Sequence, residues 1–420
     1  MIFICLIIGA LVAIINKKLS NPNLSIFFVF NFSWLITIIL YQLNLSVFPP
    51  LSFELKLYLI AFLLCYITSY YIVRKFIIGK VYLFVSNVDF DRAKVITDFL
   101  LLLWFLFLLY FFYQIRSIGG ILEYLSDGGA RTALKDLSED SGVNISFYLF
   151  GTLFIIARLY LIFLNIKKQS YSSFMVIIVV LASMLLTAAK INFMYCVMLI
   201  YFCWFNAKNK KTSLLFIHSV GILGLMYVFI VAFSFFTGKV VDSNVGSMND
   251  FSDVFLLGGA ALLYPYDYVV GSLAALDYFI MNQYVNSSEF FVYTFSRVYK
   301  VAIYFFGKDA FPTIPAHSLP FVSISGVSTN VYSMHYELIN DFGFFGALIS
   351  SIALAALNSF LDFNFKKSKS LFVYILFYLS LVCSALSTIS LKYTDTIYLI
   401  SFIFLFIAPL VRGVKIGISR

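Results

Sequence analysis

Apolar residues recur along this chain in long runs separated by short polar breaks. The runs cover 2–16, 25–42, 57–73, 95–114, 146–166, 173–189, 191–206, 214–237, 343–362, 371–389 and 396–411. Each approaches the ~20 residues that cross a bilayer as a helix. The pattern predicts an all-α polytopic membrane protein with about eleven transmembrane helices. Two stretches interrupt it. One is a Gly-rich loop of mixed charge at 115–145, and the other is the long segment 238–342, which holds Pro265, Pro312, Pro315 and Pro320. Within the latter, 254–282 is apolar but carries Gly, Pro and Asp. It reads as re-entrant or surface-lying helices, because irregular backbone at membrane depth must line a cavity or be covered by protein. The domain organisation expected is helices 1–4 over 1–114, the first loop over 115–145, helices 5–8 over 146–237, the large loop over 238–342 and helices 9–11 over 343–420. No internal repeat is visible, so the inverted halves of many transporters are not expected.

Composition sharpens the membrane reading. Of the 420 residues, 62% are hydrophobic and 12% charged, against roughly 25% charged in a soluble domain. The five cysteines all lie within apolar runs and none makes a CxxC pair, which suits packing rather than zinc. Residues 1–16 have no basic stretch before them and no small-residue cleavage site after them. They read as a first membrane helix rather than a cleaved signal.

Charge gives orientation. Lys17/Lys18, Arg74/Lys75/Lys80/Arg92/Lys94, Lys167/Lys168, Lys208/Lys210/Lys211, Lys366/Lys367/Lys369 and Arg412/Lys415/Arg420 fall on one side of the eleven-helix scheme, eighteen of the 29 basic residues. Sixteen of the 20 acidic residues fall on the other, with Asp89, Asp91, Asp98 and Asp362 as exceptions. By the positive-inside rule the basic side is the cytoplasm, the N-terminus is outside and the C-terminus inside. The net charge of +9 then reflects topology, and no nucleic-acid partner is expected.

Several cations break that rule. Arg116, Arg131, Lys135, Lys190, Arg297, Lys300 and Lys308 lie outside, which suggests an anionic ligand at the outer face. Arg131 follows Gly128-Gly129, where backbone can approach a phosphate that a guanidinium binds bidentately. Lys135 has Asp136, Glu139 and Asp140 nearby and also fits a solvated ion-pair cluster. Lys190 stands alone between two apolar runs; it either snorkels to headgroups or holds a diphosphate. Arg158 lies inside the fifth run, as a functional cation or as a partner of Asp98.

His335, Glu337 and Asp341 lie close together just before the ninth run, and on a helix Glu337 and Asp341 share a face. A general base acting on a sugar hydroxyl needs such a carboxylate or imidazole; helix capping is the alternative. His317 reads as a loop residue and His218 as a packed core histidine. The tyrosines crowding 264–336 suit the membrane interface and also suit stacking on sugars. Asp89 and Asp91 mimic a DxD metal pair, but Arg92 and Lys94 adjoin them, and no metal or other cofactor is expected.

Three segments carry a family resemblance: IRSIGGILEYLSDGGARTAL (115–134), LLTAAKINFMYCVMLIY (185–201) and SGVSTNVYSMHYELINDFGFFGALI (325–349). With the helix count and the late long loop, they resemble the oligosaccharide repeat-unit polymerases of O-antigen and capsule synthesis, the Wzy family. Lys190 stands where members usually carry Arg. The resemblance implies a metal-independent glycosyltransferase, related to membrane-embedded C-type glycosyltransferases, at the outer face of the bacterial inner membrane. It implies undecaprenyl-diphosphate-linked oligosaccharide as donor and acceptor, with a chain-length regulator and a flippase as possible partners. On that basis Arg131, Lys190, Arg297 and Arg116 are expected on the diphosphates, Asn330 and Tyr332 on sugar, and Glu337, Asp341 or His335 as base. The alternatives are a lipid-linked oligosaccharide flippase and an O-antigen ligase. The ligases usually show a His-Asn pair where this chain has Thr329-Asn330.

Overall fold

The computed structural model describes residues 1–19, 22, 24–43, 48–77, 81–84, 90–117, 143–164, 172–185, 190–207, 260–282, 291–296, 298–299, 322–324, 327–329, 332–367, 371–395, 397–403 and 415–418. These are mostly helical. Among them, Phe53–Phe76, Ala93–Ser117 and Met334–Lys367 are long and apolar enough to cross a membrane, and several shorter helices are equally apolar. A membrane protein of helical class is the architecture shown. The run at 214–237 and the first loop at 118–142 lie outside the described residues, as do His218 and His317.

The chain divides into two compact units, 1–86 with 266–420, and 87–265. The first contains α1 (Ile2–Lys18), α2 (Ile26–Gln42), α3 (Phe53–Ile72, ending in a wider turn Val73–Ile77) and most of α8 (Ala260–Asn282). It also contains α9 (Met334–Lys367), α10 (Leu371–Leu386) and a helical segment over 397–403. The second contains α4 (Phe90–Ser117), α5 (Val143–Leu164), α6 (Ser172–Leu185) and α7 (Lys190–Ala207). Two small ribbons complete the first unit. β1 (Val81–Phe84) pairs antiparallel with β4 (Lys415–Ile418), and β2 (Val322–Ile324) pairs with β3 (Val327–Thr329). In the second unit α4 and α5 run side by side, with Phe107 stacked on Phe150 and Phe111 on Phe147.

Contacts between rings and polar groups fix the register of the first unit. Asn358 donates to the Tyr66 hydroxyl at 2.9 Å, and the Tyr70 hydroxyl donates to Asp362 at 2.6 Å. Both pairs are 292 residues apart, so α3 and the long half of α9 run parallel. α2 runs antiparallel to them, with Phe27 stacked on Tyr70 and Phe30 on Tyr66, each at 4.2 Å. At this end Asp362 is fully buried and also accepts from the backbone N–H groups of Ile26 (2.9 Å) and Phe27 (3.2 Å). It thereby satisfies the orphan donors of the α2 N-terminus. Asp362 was one of the acidic residues on the wrong side of the charge pattern, and this is its use.

The apolar stretch around 254–282 forms one continuous helix over Ala260–Asn282, despite Pro265 and Gly271. The interruption falls instead in α9. Gly343 has φ 67° and ψ 179°, a conformation open essentially to glycine alone. It divides α9 into a short arm, 334–342, and a long arm, 344–367. A Cβ on Gly346 would collide with Phe342, so the turn after the break is packed as tightly as glycine permits.

Candidate functional site

The short arm of α9 dips into the first unit. The His335 ring lies 4.6 Å from Trp34 of α2 and 4.3 and 5.1 Å from Phe62 and Tyr58 of α3. Phe62 lies two turns along α3 from Tyr70, ~12 Å, and a similar distance from the start of that helix. His335 is therefore held about midway along the bundle and is wholly buried. The Met334 N–H donates to the Ser387 carbonyl just past the end of α10, at 3.0 Å. Two helix ends thus meet inside the unit: the N-terminus of the short arm and the C-terminus of α10.

The chain after α10 stays inside. Tyr393 bonds to Ser384 at 2.5 Å and accepts from Asn358 at 3.2 Å, while Tyr398 bonds to Ser380 at 2.9 Å. The irregular segment 387–395 therefore folds back among the helices. Lys392, only 7% exposed, lies in it with Asp395 at 3.9 Å. Buried irregular backbone carrying an ionisable side chain marks a functional site in a membrane protein by default.

The three candidate acid–base residues have different surroundings. His335 shares its Nδ1 with the Tyr58 hydroxyl at 2.9 Å, while its Nε2 has no partner among the described residues. Trp34 Nε1 and Ser333 Oγ are likewise buried and unpartnered. Asp341 is 2% exposed, and its two oxygens accept from the backbone of Tyr293 (3.0 Å) and Thr294 (2.5 Å). That pairing pins the 291–296 segment to the short arm, where Phe291 takes a φ of 69°. Glu337, one turn before Asp341, is half-buried and is the most accessible of the three.

Aromatic rings surround its neighbour Tyr336. Tyr336 lies 4.3 Å from Tyr332, 4.7 Å from Phe279 and 6.2 Å from Tyr293. Asp277 of α8 accepts from the Ser52 N–H at 2.8 Å and from the Ser52 hydroxyl. Of the other candidates, Arg116 is exposed on the last turn of α4, and Lys190 opens α7, its side chain lying outside the described residues. Arg131, Arg297 and Asn330 lie outside the described residues. Reading the sequence missed Lys392, Asp277, Trp34 and Tyr58. Lys392 had one signal: it is a lone cation in the short polar break SALSTISLKYTD between two apolar runs. No three His, Cys, Asp or Glu side chains come together among the described residues. No protein-family model, curated protein or solved structure matches this chain.

Proposed function

We propose that this protein is a membrane glycosyltransferase that polymerises undecaprenyl-diphosphate-linked oligosaccharide repeat units at the outer face of a bacterial cytoplasmic membrane. The acceptor's sugar hydroxyl attacks the donor's anomeric carbon, its proton passes to a base, and the lipid diphosphate leaves. Glu337 is that base. Asp341 and His335 act as positioning residues, since the first is committed to Tyr293 and Thr294 and the second is enclosed by rings. Asn330 and Tyr332 are assigned to sugar, Tyr332 from within the ring cluster it forms with Tyr336. Arg131, Lys190, Arg297 and Arg116 hold the diphosphates, whose developing charge needs preorganised cations.

The observation carrying this reading is the half-buried carboxylate of Glu337 on the short arm that ends at Gly343. The pairing of β1 with β4 supports the orientation, because strands 81–84 and 415–418 must share a side of the membrane, as the charge pattern requires of them. A deletion strain tests the function. Loss of long polymer with retention of surface-attached single repeats is the expected outcome, and restoration of polymer by Arg131→Ala or Lys190→Ala variants would refute the diphosphate assignment.

One observation favours a second reading, a lipid-linked oligosaccharide flippase. Helix ends meeting within a bundle are also how transporters build a substrate site, and Met334 and Ser387 do this here, with Lys392 buried in the segment that follows. Loss of all surface glycan in the deletion strain, with repeats trapped inside, would select it. Free polymer unattached to core would select the ligase.

A further inference from the structure

We infer that the short arm of α9 and the segment 291–296 form one conformational unit that swings about Gly343, carrying His335 out from between Trp34, Tyr58 and Phe62. The two pieces are joined to each other. The oxygens of Asp341 accept from the Tyr293 and Thr294 N–H groups, and the Phe342 ring lies 5.1 Å from Phe291. Each piece also ends in backbone that a helix does not use. Gly343 closes the arm with φ 67°, and Phe291 opens the segment with φ 69°. Glycine passes between such conformations and helical ones at little cost. A bulky side chain at positive φ is strained, and movement of its segment can release that strain.

The docked arm leaves polar groups unanswered. Ser25 and Ser52 show what a serine before a helix ordinarily does. Their hydroxyls accept from the Phe28 N–H at 3.0 Å and the Leu55 N–H at 3.2 Å, capping α2 and α3. Ser333 precedes the short arm in the same way. Its carbonyl accepts from the Tyr336 N–H at 3.0 Å, but its hydroxyl is buried without a partner among the described residues. His335 Nε2 and Trp34 Nε1 are in the same state where their rings meet, and so is Thr294 Oγ1 on the segment. Each such group costs free energy where it stands and regains a partner once water reaches it.

Against this stand the ring contacts of His335, its bond to Tyr58 at 2.9 Å and the Met334 N–H to Ser387 at 3.0 Å. Release breaks these, keeps the Asp341 bonds and satisfies the orphaned atoms. That is a local opening, drawn from the low-stability end of a fold, rather than unfolding of the unit. The arm also carries Glu337, so on the function proposed above the swing sets where the base stands. The movement itself does not depend on that reading.

Hydrogen–deuterium exchange of the full-length protein in phosphatidylcholine nanodiscs tests it without reference to polymer synthesis. Ser333→Ala removes one orphaned hydroxyl, and Thr294→Val removes another at nearly constant volume. Each favours the docked state and slows exchange about fivefold in both 291–296 and 334–342, while 344–367 keeps its wild-type rate. Tyr58→Phe takes away the partner of His335 and speeds exchange in both segments. Faster exchange in Ser333→Ala is what loss of an ordinary helix cap gives, and it overturns the inference. Unchanged exchange in either hydroxyl variant does the same, as does a response confined to the segment that carries the substitution. Should one of these variants fail to fold, the other decides alone.

Discussion

The two halves of the first unit are built on opposite terms. Around Asp362 the carboxylate's three hydrogen bonds tie α2, α3 and α9 together. Around His335 a helix is broken, and among the described residues Trp34, Ser333 and His335 each bury a polar atom without a hydrogen-bond partner, against the Ser359 hydroxyl beside Asp362. A buried polar group without a partner costs ~1–3 kcal/mol, so such groups are kept together only where something other than stability is served. The Asp362 end is tied by hydrogen bonds across three helices, whereas the His335 end is packed by rings.

That contrast can be broken most severely at its two carboxylates. Asp362→Ala leaves the N–H groups of Ile26 and Phe27 and the Tyr70 hydroxyl without their acceptor, and should cost ~3–5 kcal/mol. A large fall in melting temperature in detergent, with a fall in folded yield, is the readout. Glu337→Gln should do the reverse: polymerisation falls ~10²–10⁴-fold while melting stays at the wild-type value. If Glu337→Gln melts early and Asp362→Ala does not, the division of labour drawn here is wrong.

Smaller effects sharpen the boundary. Gly343→Ala forces an L-residue into a conformation it avoids, at ~1–3 kcal/mol. It should reduce polymer strongly but stability modestly, because the strain falls on the arm carrying Glu337. Tyr58→Phe removes the partner of His335 Nδ1 and should cost ~1 kcal/mol, with a matching small loss of function. Tyr393→Phe, in the hydroxyl cluster with Asn358 and Ser384, should cost ~1 kcal/mol and leave polymer length unchanged, as read on a gel.

How much of this was legible in the sequence depends on whether the signal was local. The run 25–42 became Ile26–Gln42 and the run 191–206 became Lys190–Ala207, because an apolar helix declares itself by its own composition. The run 343–362 became the long arm of a helix that starts at Met334, and its glycine break is silent in a hydropathy pattern. Partnerships across the chain were beyond reach. Nothing near Asp362 names Ile26, and nothing near His335 names Trp34, since those contacts exist only once α2, α3 and α9 are packed. That His335, Glu337 and Asp341 share one short helix was legible; what separates Glu337 from Asp341 was not, because burial and the bonds of Asp341 to Tyr293 and Thr294 come from distant segments. Lys392 was passed over because a cation in a short break looks like any loop residue until the loop is seen to fold inward.

The clamp on α2 also bears on how the chain is made. Its donors at Ile26 wait for an acceptor 336 residues downstream. At ~5–20 residues per second, that delay is about 17–70 s of translation. During it the first helices sit in the membrane with their N-terminal amides unanswered, relying on lipid headgroups, water or the insertion machinery as temporary acceptors. A ribosome stalled before residue 362 would hold a nascent protein whose early helices are inserted but not yet locked.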